Sequence, residues 1–161
     1  IVRLPTETEW VRAAGGQQND RYPWDSPVIA RSGLCGAERS RSKQSPSPDS
    51  EIASQKTLAM TLARANVKES EIGGTTPVAM YPDGKRVTEN GGEIWDLAGN
   101  VWEWTSTTFE EPYSGAYLRG GSWWDKAESA GVRARADNFR GSVSDDLGWR
   151  VVVASRIFPR S

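Results

Sequence analysis

Histidine is absent from all 161 residues of this sequence. That excludes Ser-His-Asp and Cys-His nucleophilic catalysis, imidazole general-base chemistry and every histidine metal site. Cysteine occurs once, at Cys35, so an internal disulfide and a thiolate zinc cluster are excluded as well. A lone thiol with no imidazole to activate it is most simply a spare side chain. No apolar run approaches the roughly 20 residues needed to cross a bilayer, and no signal peptide is visible. Charge of one sign is not in excess either: 20 Lys and Arg face 21 Asp and Glu, for a net charge of -1. Nucleic-acid binding is not expected without a basic field, and the near-neutral balance suggests nothing beyond a monomer.

What is present points to an ordered, loop-rich chain. Eight tryptophans can each bury a large area, which argues for a packed core despite a mean hydropathy of -0.61. Sixteen glycines and nine prolines suit an α+β or mainly β domain better than a helical bundle. The length favours one domain spanning 1–161. The chain opens directly on a structured motif, which points to an upstream segment missing from this sequence.

Residues 5–15, PTETEWVRAAG, predict a helix. Thr6 and Glu9 have capping-box spacing, Gly15 and Gly16 supply a left-handed stop, and Trp10, Ala13 and Ala14 share an inward face. Residues 25–52 include RSRSKQSPSPDS, polar and aperiodic, and read as a mobile insertion loop; its basic start could meet an acidic partner or be phosphorylated. Residues 54–65 predict a second helix, with Leu58, Leu62 and Ala65 on one face. TTPVAMYPDG (75–84) reads as a short strand entering a turn.

The segment IWDLAGNVWEWT (94–105) carries the most information. Alternation over VWEWT puts Trp102 and Trp104 on one face, expected to be core, and Val101, Glu103 and Thr105 on the other, expected to meet water, a cation or a ligand. Upstream, DLAGN is a turn in which Gly99 can take positive φ. Asp96 and Glu103 then offer two carboxylates across that turn, a donor set that suits calcium. Spacing alone also allows Asp96 to cap the turn and Glu103 to be solvated, and favours that simpler arrangement.

RLPTETEW (3–10), YPW (22–24), GGTTPVAMYPDG (73–84), WDLAGNVWEWT (95–105), LRGGSWW (118–124) and LGWRVV (147–152) occur in that order. Together they resemble the formylglycine-generating enzyme, or sulfatase-modifying factor, family. The resemblance spans most of the chain outside 25–65. It implies an α+β fold of C-type-lectin-like type, with two helices and small twisted antiparallel sheets. It also implies a structural calcium ion held by the Asp96 side chain, the carbonyls of Gly99 and Val101, and Glu103, which raises the calcium reading above the simpler one. A second family site would start at Ala65-Asn66, take the Val67 carbonyl and place a carboxylate near Ser70 or Glu71. The resemblance also implies that the N-terminal part of the usual family domain is absent from this sequence or displaced.

Departures from the family matter equally. Its oxidases carry two cysteines shortly after R-G-G-S-[WY]; Asp125 and Ala130 stand at those positions. Neither binds copper through sulfur or forms a redox pair, so oxidation of a substrate cysteine is not expected. The iron-dependent sulfoxide synthases that share this fold need histidine ligands from another domain, and none is present here.

Residues 122–147 lie between LRGGSW and GWRVV and are rich in Asp, Ser, Arg, Trp and Phe. In VRARAD, Val132, Ala134 and Ala136 alternate with Arg133, Arg135 and Asp137, the pattern of a half-buried strand with its charges exposed. The layout resembles the variable proteins of diversity-generating retroelements, which place diversified ligand-binding residues in this position. That resemblance implies a contact surface of Trp124, Asp125, Lys126, Glu128, Ser129, Arg133, Arg135, Asp137, Phe139, Arg140, Ser142 and Ser144, facing a protein or cell-surface ligand. Trp95, Trp102, Trp104 and Trp149 are expected in the core, and Trp123 in either setting. The alternatives are an oxidase with displaced chemistry and a degenerate accessory member of the family.

Overall fold

Helix α1, Glu7–Ala14, starts where its sequence says it should. The Thr6 hydroxyl accepts from the Glu9 amide at 3.2 Å, and the Glu9 carboxylate accepts from the Thr6 amide at 2.8 Å. These bonds satisfy donors that the helix cannot pair internally. Gly15 ends it at φ 125°. Trp10 and Ala14 are fully buried on its inner face. The computed structural model of the chain describes residues 1–16, 22–24, 63–109 and 114–153. The expected insertion loop at 25–52 and residues 54–62 of the expected second helix lie outside the described residues, and 63–64 form a turn.

Eight strands accompany α1 among the described residues: β1 (Val2–Arg3), β2 (Arg86–Val87), β3 (Glu93–Ile94), β4 (Trp102–Phe109), β5 (Gly115–Gly120), β6 (Gly131–Phe139), β7 (Leu147–Trp149) and β8 (Val152–Val153). β1 pairs with β8 and β2 with β3, while β6-β5-β4-β7 form the principal sheet. The fold is α+β and C-type-lectin-like, as expected, but its principal sheet is not wholly antiparallel. β7 joins β4 in parallel, setting Glu103 opposite Gly148 and Trp104 opposite Trp149. TTPVAMYPDG contains no strand: Val78 and Met80 are exposed, and its one regular piece is a 3-10 turn at Pro82–Gly84.

Two apolar clusters hold the fold. Trp10, Ala14, Leu97 and Val132 pack between α1 and the sheet, with Val11 and Ile94 against them. Tyr22, Ala65, Val67, Ala98, Ala127 and Ala130 form the second, with Trp24 packed on it. The Tyr22 and Trp24 rings stack at 4.9 Å. Alternation along β4 is as expected, but its sense is reversed. Glu103 and Thr105 are buried, while Trp102 and Trp104 are half-buried on the opposite face. A period of two fixes that neighbours oppose one another; it does not say which face α1 covers. The buried face tolerates polar groups because each is satisfied: Thr105 Oγ1 donates to the Tyr117 carbonyl at 2.9 Å, and Trp10 Nε1 donates to Glu103 at 2.6 Å. Trp149, also expected in the core, is 68% exposed on the sheet edge.

Candidate functional site

The DLAGN turn forms as its residue types demand. Asp96, Gly99 and Asn100 all have positive φ, at 54°, 72° and 67°. At Gly99 this is a requirement, because a Cβ there would lie 2.2 Å from the Asn66 carbonyl oxygen. The side chains of Asp96 and Glu103 do not converge on an open space. Asp96 Oδ2 accepts from the Ala79 amide at 3.0 Å. Both Glu103 oxygens accept from Arg150, whose Nη2 also donates to the carbonyls of Trp95 at 3.0 Å and Asp96 at 3.1 Å. With a guanidinium there, Asp96, Gly99, Val101 and Glu103 do not form an open cation cage. Among the described residues, no group of three His, Cys, Asp or Glu side chains is placed to hold a metal.

At the second family position, Asn66 is buried and its Oδ1 has no hydrogen-bond donor. Its Nδ2 donates to the Gly74 carbonyl at 2.8 Å and to Asn100 Oδ1 at 3.2 Å, which fixes the orientation of the amide. The Ser70 hydroxyl donates to the Ala65 carbonyl and accepts from the Val67 amide, and Glu71 is exposed. No carboxylate completes that site among the described residues.

The 122–130 turn is braced from beneath by residues to which sequence reasoning assigned no such role. The Lys68 amide donates to the Asp125 carbonyl at 2.8 Å, and Glu69 accepts from the Ala127 amide at 2.9 Å. The Tyr22 hydroxyl donates to the Ala127 carbonyl at 2.8 Å. Trp123 is buried and meets the exposed Trp124 ring edge-on at 5.2 Å. β6 alternates as read from VRARAD: Val132 is buried, Ala134 and Ala136 are half-buried, and Arg133, Arg135 and Asp137 are exposed. Ten of the twelve expected contact residues are exposed: Trp124, Lys126, Glu128, Ser129, Arg133, Arg135, Asp137, Phe139, Arg140 and Ser144. Asp125 and Ser142 are half-buried and occupied locally. Asp125 Oδ2 accepts from the Ser122 amide and hydroxyl at 2.9 and 2.7 Å, and the Ser142 hydroxyl donates to Asn138 at 2.8 Å.

Glu128, Ser129, Arg133 and Arg135 share a cleft of about 630 Å³ with Trp102 and the alanines of β6. Arg135 lies 3.6 Å over the Tyr117 ring and donates to Glu7. Arg119 donates to the same carboxylate at 2.5 Å. Partial burial raises the Glu7 pKa, but hydrogen bonds and charge from Arg135 and Arg119 outweigh that and hold it below the ordinary carboxylate value.

Residues 1–155 match the sulfatase-modifying factor enzyme 1-like domain. The chain belongs to this family. It is 34% identical over 155 residues to inactive C-alpha-formylglycine-generating enzyme 2 of Mus musculus, covering 92% of this chain and 42% of that protein. It is 32% identical over 167 residues to the formylglycine-generating enzyme of Streptomyces coelicolor, covering 92% and 45%. Among solved structures, Treponema denticola variable protein 1 superposes with a TM-score of 0.55 at 25% identity, covering 93% of this chain and 46% of that one. The chain thus spans less than half the length of each of these sulfatase-modifying factor relatives and of the variable protein. At the two places where the family resemblance puts cysteines, Asp125 closes a turn and Ala130 is buried against the backbone of Gly121.

Proposed function

We propose that the chain is a non-catalytic display domain whose 122–147 segment binds a protein or cell-surface ligand, as in the variable proteins of diversity-generating retroelements. The observation that carries this reading is the cleft that gathers Glu128 and Ser129 from the turn with Arg133 and Arg135 from β6 and Trp102 from β4. Trp and Arg are enriched among contact anchors, and a hydrogen-bonded backbone leaves only side-chain torsions to be frozen on binding. The similarity to Treponema denticola variable protein 1 supports the same reading. The two cysteine-free positions, Asp125 and Ala130, support the absence of formylglycine-generating oxidation. The whole of 1–161 is taken as one domain.

The test is selection of ligands on the immobilised chain, followed by alanine substitution at Trp124, Arg133 and Phe139. Binding should weaken by about 2 kcal/mol at one or more of these positions, with folding unchanged. Unchanged affinity in all three variants removes the display reading. Turnover of a cysteine-containing peptide with O₂ establishes the oxidase alternative instead.

A calcium ion at Asp96, Gly99, Val101 and Glu103 is a separate proposal. It is supported by the match of all four positions to the family motif and by the positive φ of Gly99. The ion would exchange with the guanidinium of Arg150 at the Glu103 carboxylate.

A further inference from the structure

A second cleft, of about 720 Å³, runs between α1 and the β2–β3 hairpin and shares no lining residue with the display cleft. Glu7 and Arg12 line it from the helix, Arg86 and Glu89 from the hairpin, and Arg119 from β5. Two of its arginines have donors without acceptors. Arg119 places Nη1 on the Ala134 carbonyl at 3.3 Å and Nη2 on Glu7, while its buried Nε has no acceptor. Arg86 is half-buried, its Nη1 is buried, and that nitrogen has no acceptor either. Among the described residues the Arg86 side chain forms no hydrogen bond or ion pair.

Buried donors in native proteins are nearly always paired. A guanidinium cannot relieve the mismatch by losing its proton. The carboxylates in the cleft do not supply the acceptor: Glu7 is already shared by Arg119 and Arg135, and Glu89 is exposed on the hairpin. Three arginines face two glutamates, so the cleft carries a surplus of positive charge beside unused directional donors.

We propose that this cleft binds a small-molecule oxyanion, a carboxylate or a phosphate, seated against Arg86 and Arg119. Guanidinium donors match both groups geometrically and bind them more strongly than neutral donors do. The cleft lies within the roughly 300–1,000 Å³ of small-molecule sites. The site is independent of the display reading and stands whether or not the 122–147 segment binds a partner.

The experiment titrates the purified chain with inorganic phosphate, pyrophosphate and citrate, each against sodium chloride of equal ionic strength. It reads Tm and, by calorimetry, affinity. At least one anion should raise Tm beyond the chloride control, and whether a phosphate or citrate does so identifies the class. Arg86→Gln should weaken that anion by about tenfold or more. In anion-free buffer the same variant should be no less stable than the parent, because it removes an unpaired cation. Glu89→Gln should bind the anion more tightly, because a repelling charge is gone. A Tm that responds to none of the three anions overturns the proposal, as does unchanged affinity in both variants. Marked destabilisation of Arg86→Gln without anion would show that Arg86 already has a protein partner, and overturns it too.

Discussion

Arg150 closes on the buried carboxylate of Glu103 from 47 residues away and ties it to the carbonyls of Trp95 and Asp96. One side chain thereby joins the turn before β4, the start of β4 and the residue after β7. The Glu103 side chain is 6% exposed and that of Arg150 24%. Removing the cation strands a charge in the interior, which costs about 3 kcal/mol in partly buried pairs. Arg150→Met should lower unfolding free energy by that amount in urea titrations. Glu103→Gln combined with Arg150→Met should recover part of the loss, since the amide oxygen still accepts from Trp10. A double variant as unstable as the sum of the two singles would show that the residues are not coupled.

Gly99 carries a steric prediction. Its φ of 72° disfavours any side chain, and a Cβ would lie 2.2 Å from the Asn66 carbonyl oxygen. Gly99→Ala should destabilise the chain by at least about 2 kcal/mol, combining backbone strain with the displacement of residue 66. A loss within about 0.5 kcal/mol, the range of neutral surface changes, would mean that the turn relaxes freely.

The capping box sets a pH dependence. The hydrogen bond from Arg3, reinforced by the Thr6 amide and hydroxyl, lowers the Glu9 pKa from 4.5 to about 2. A carboxylate depressed on folding stabilises the native state above its unfolded pKa, and the contribution disappears as pH falls through its folded pKa. The Tm difference between the parent and Glu9→Gln should therefore be constant above about pH 5 and shrink between pH 4.5 and about 2. A difference that stays flat across that window would detach Glu9 from the acid response.

These cases show where the fold was legible. Local signals succeeded: Thr6 and Glu9 marked the start of α1, DLAGN marked a left-handed turn, and VRARAD marked the alternation of β6. Each depends on residues a few positions apart. Long-range relations were not legible. Nothing near Arg150 says that it pairs with Glu103, and nothing in β7 says that it joins β4 in parallel. For that reason the alternation of VWEWT does not by itself say which of its faces is buried. Polar residues became core because α1 brings the Trp10 indole to Glu103, a contact across 93 positions. The twelve proposed contact residues lie in one segment, and ten of them are exposed. The split between exposed and locally occupied ones depends on Ser122 and Asn138, whose partners no spacing rule supplies.

The calcium proposal makes its own prediction. An ion that binds only the native state raises stability by mass action, by about 2.7 kcal/mol at 100 times its Kd. Calcium should raise Tm and EDTA should reverse the rise. The effect should be larger in Arg150→Met, where the competing guanidinium is gone from Glu103. A Tm indifferent to calcium and EDTA in both proteins withdraws the ion from Asp96, Gly99, Val101 and Glu103.

Within the proposed display segment, stability and binding should separate by residue. Asp125 holds the turn through the Ser122 amide and hydroxyl, so Asp125→Ala should cost about 1–2 kcal/mol, as loss of a comparable side-chain cap does. Trp124 is 64% exposed and Arg133 is exposed at the cleft, so alanine at either should stay within about 0.5 kcal/mol of the parent. Denaturant midpoints of the three variants measure the split directly. Destabilisation by Arg133→Ala comparable to that by Asp125→Ala would place Arg133 among the residues that hold the sheet together. The binding surface would then contract to the turn carrying Trp124 and Glu128. Ligand affinity measured on the same three variants should show the reverse order, because contacts made at exposed anchors are spent on the partner rather than on the fold.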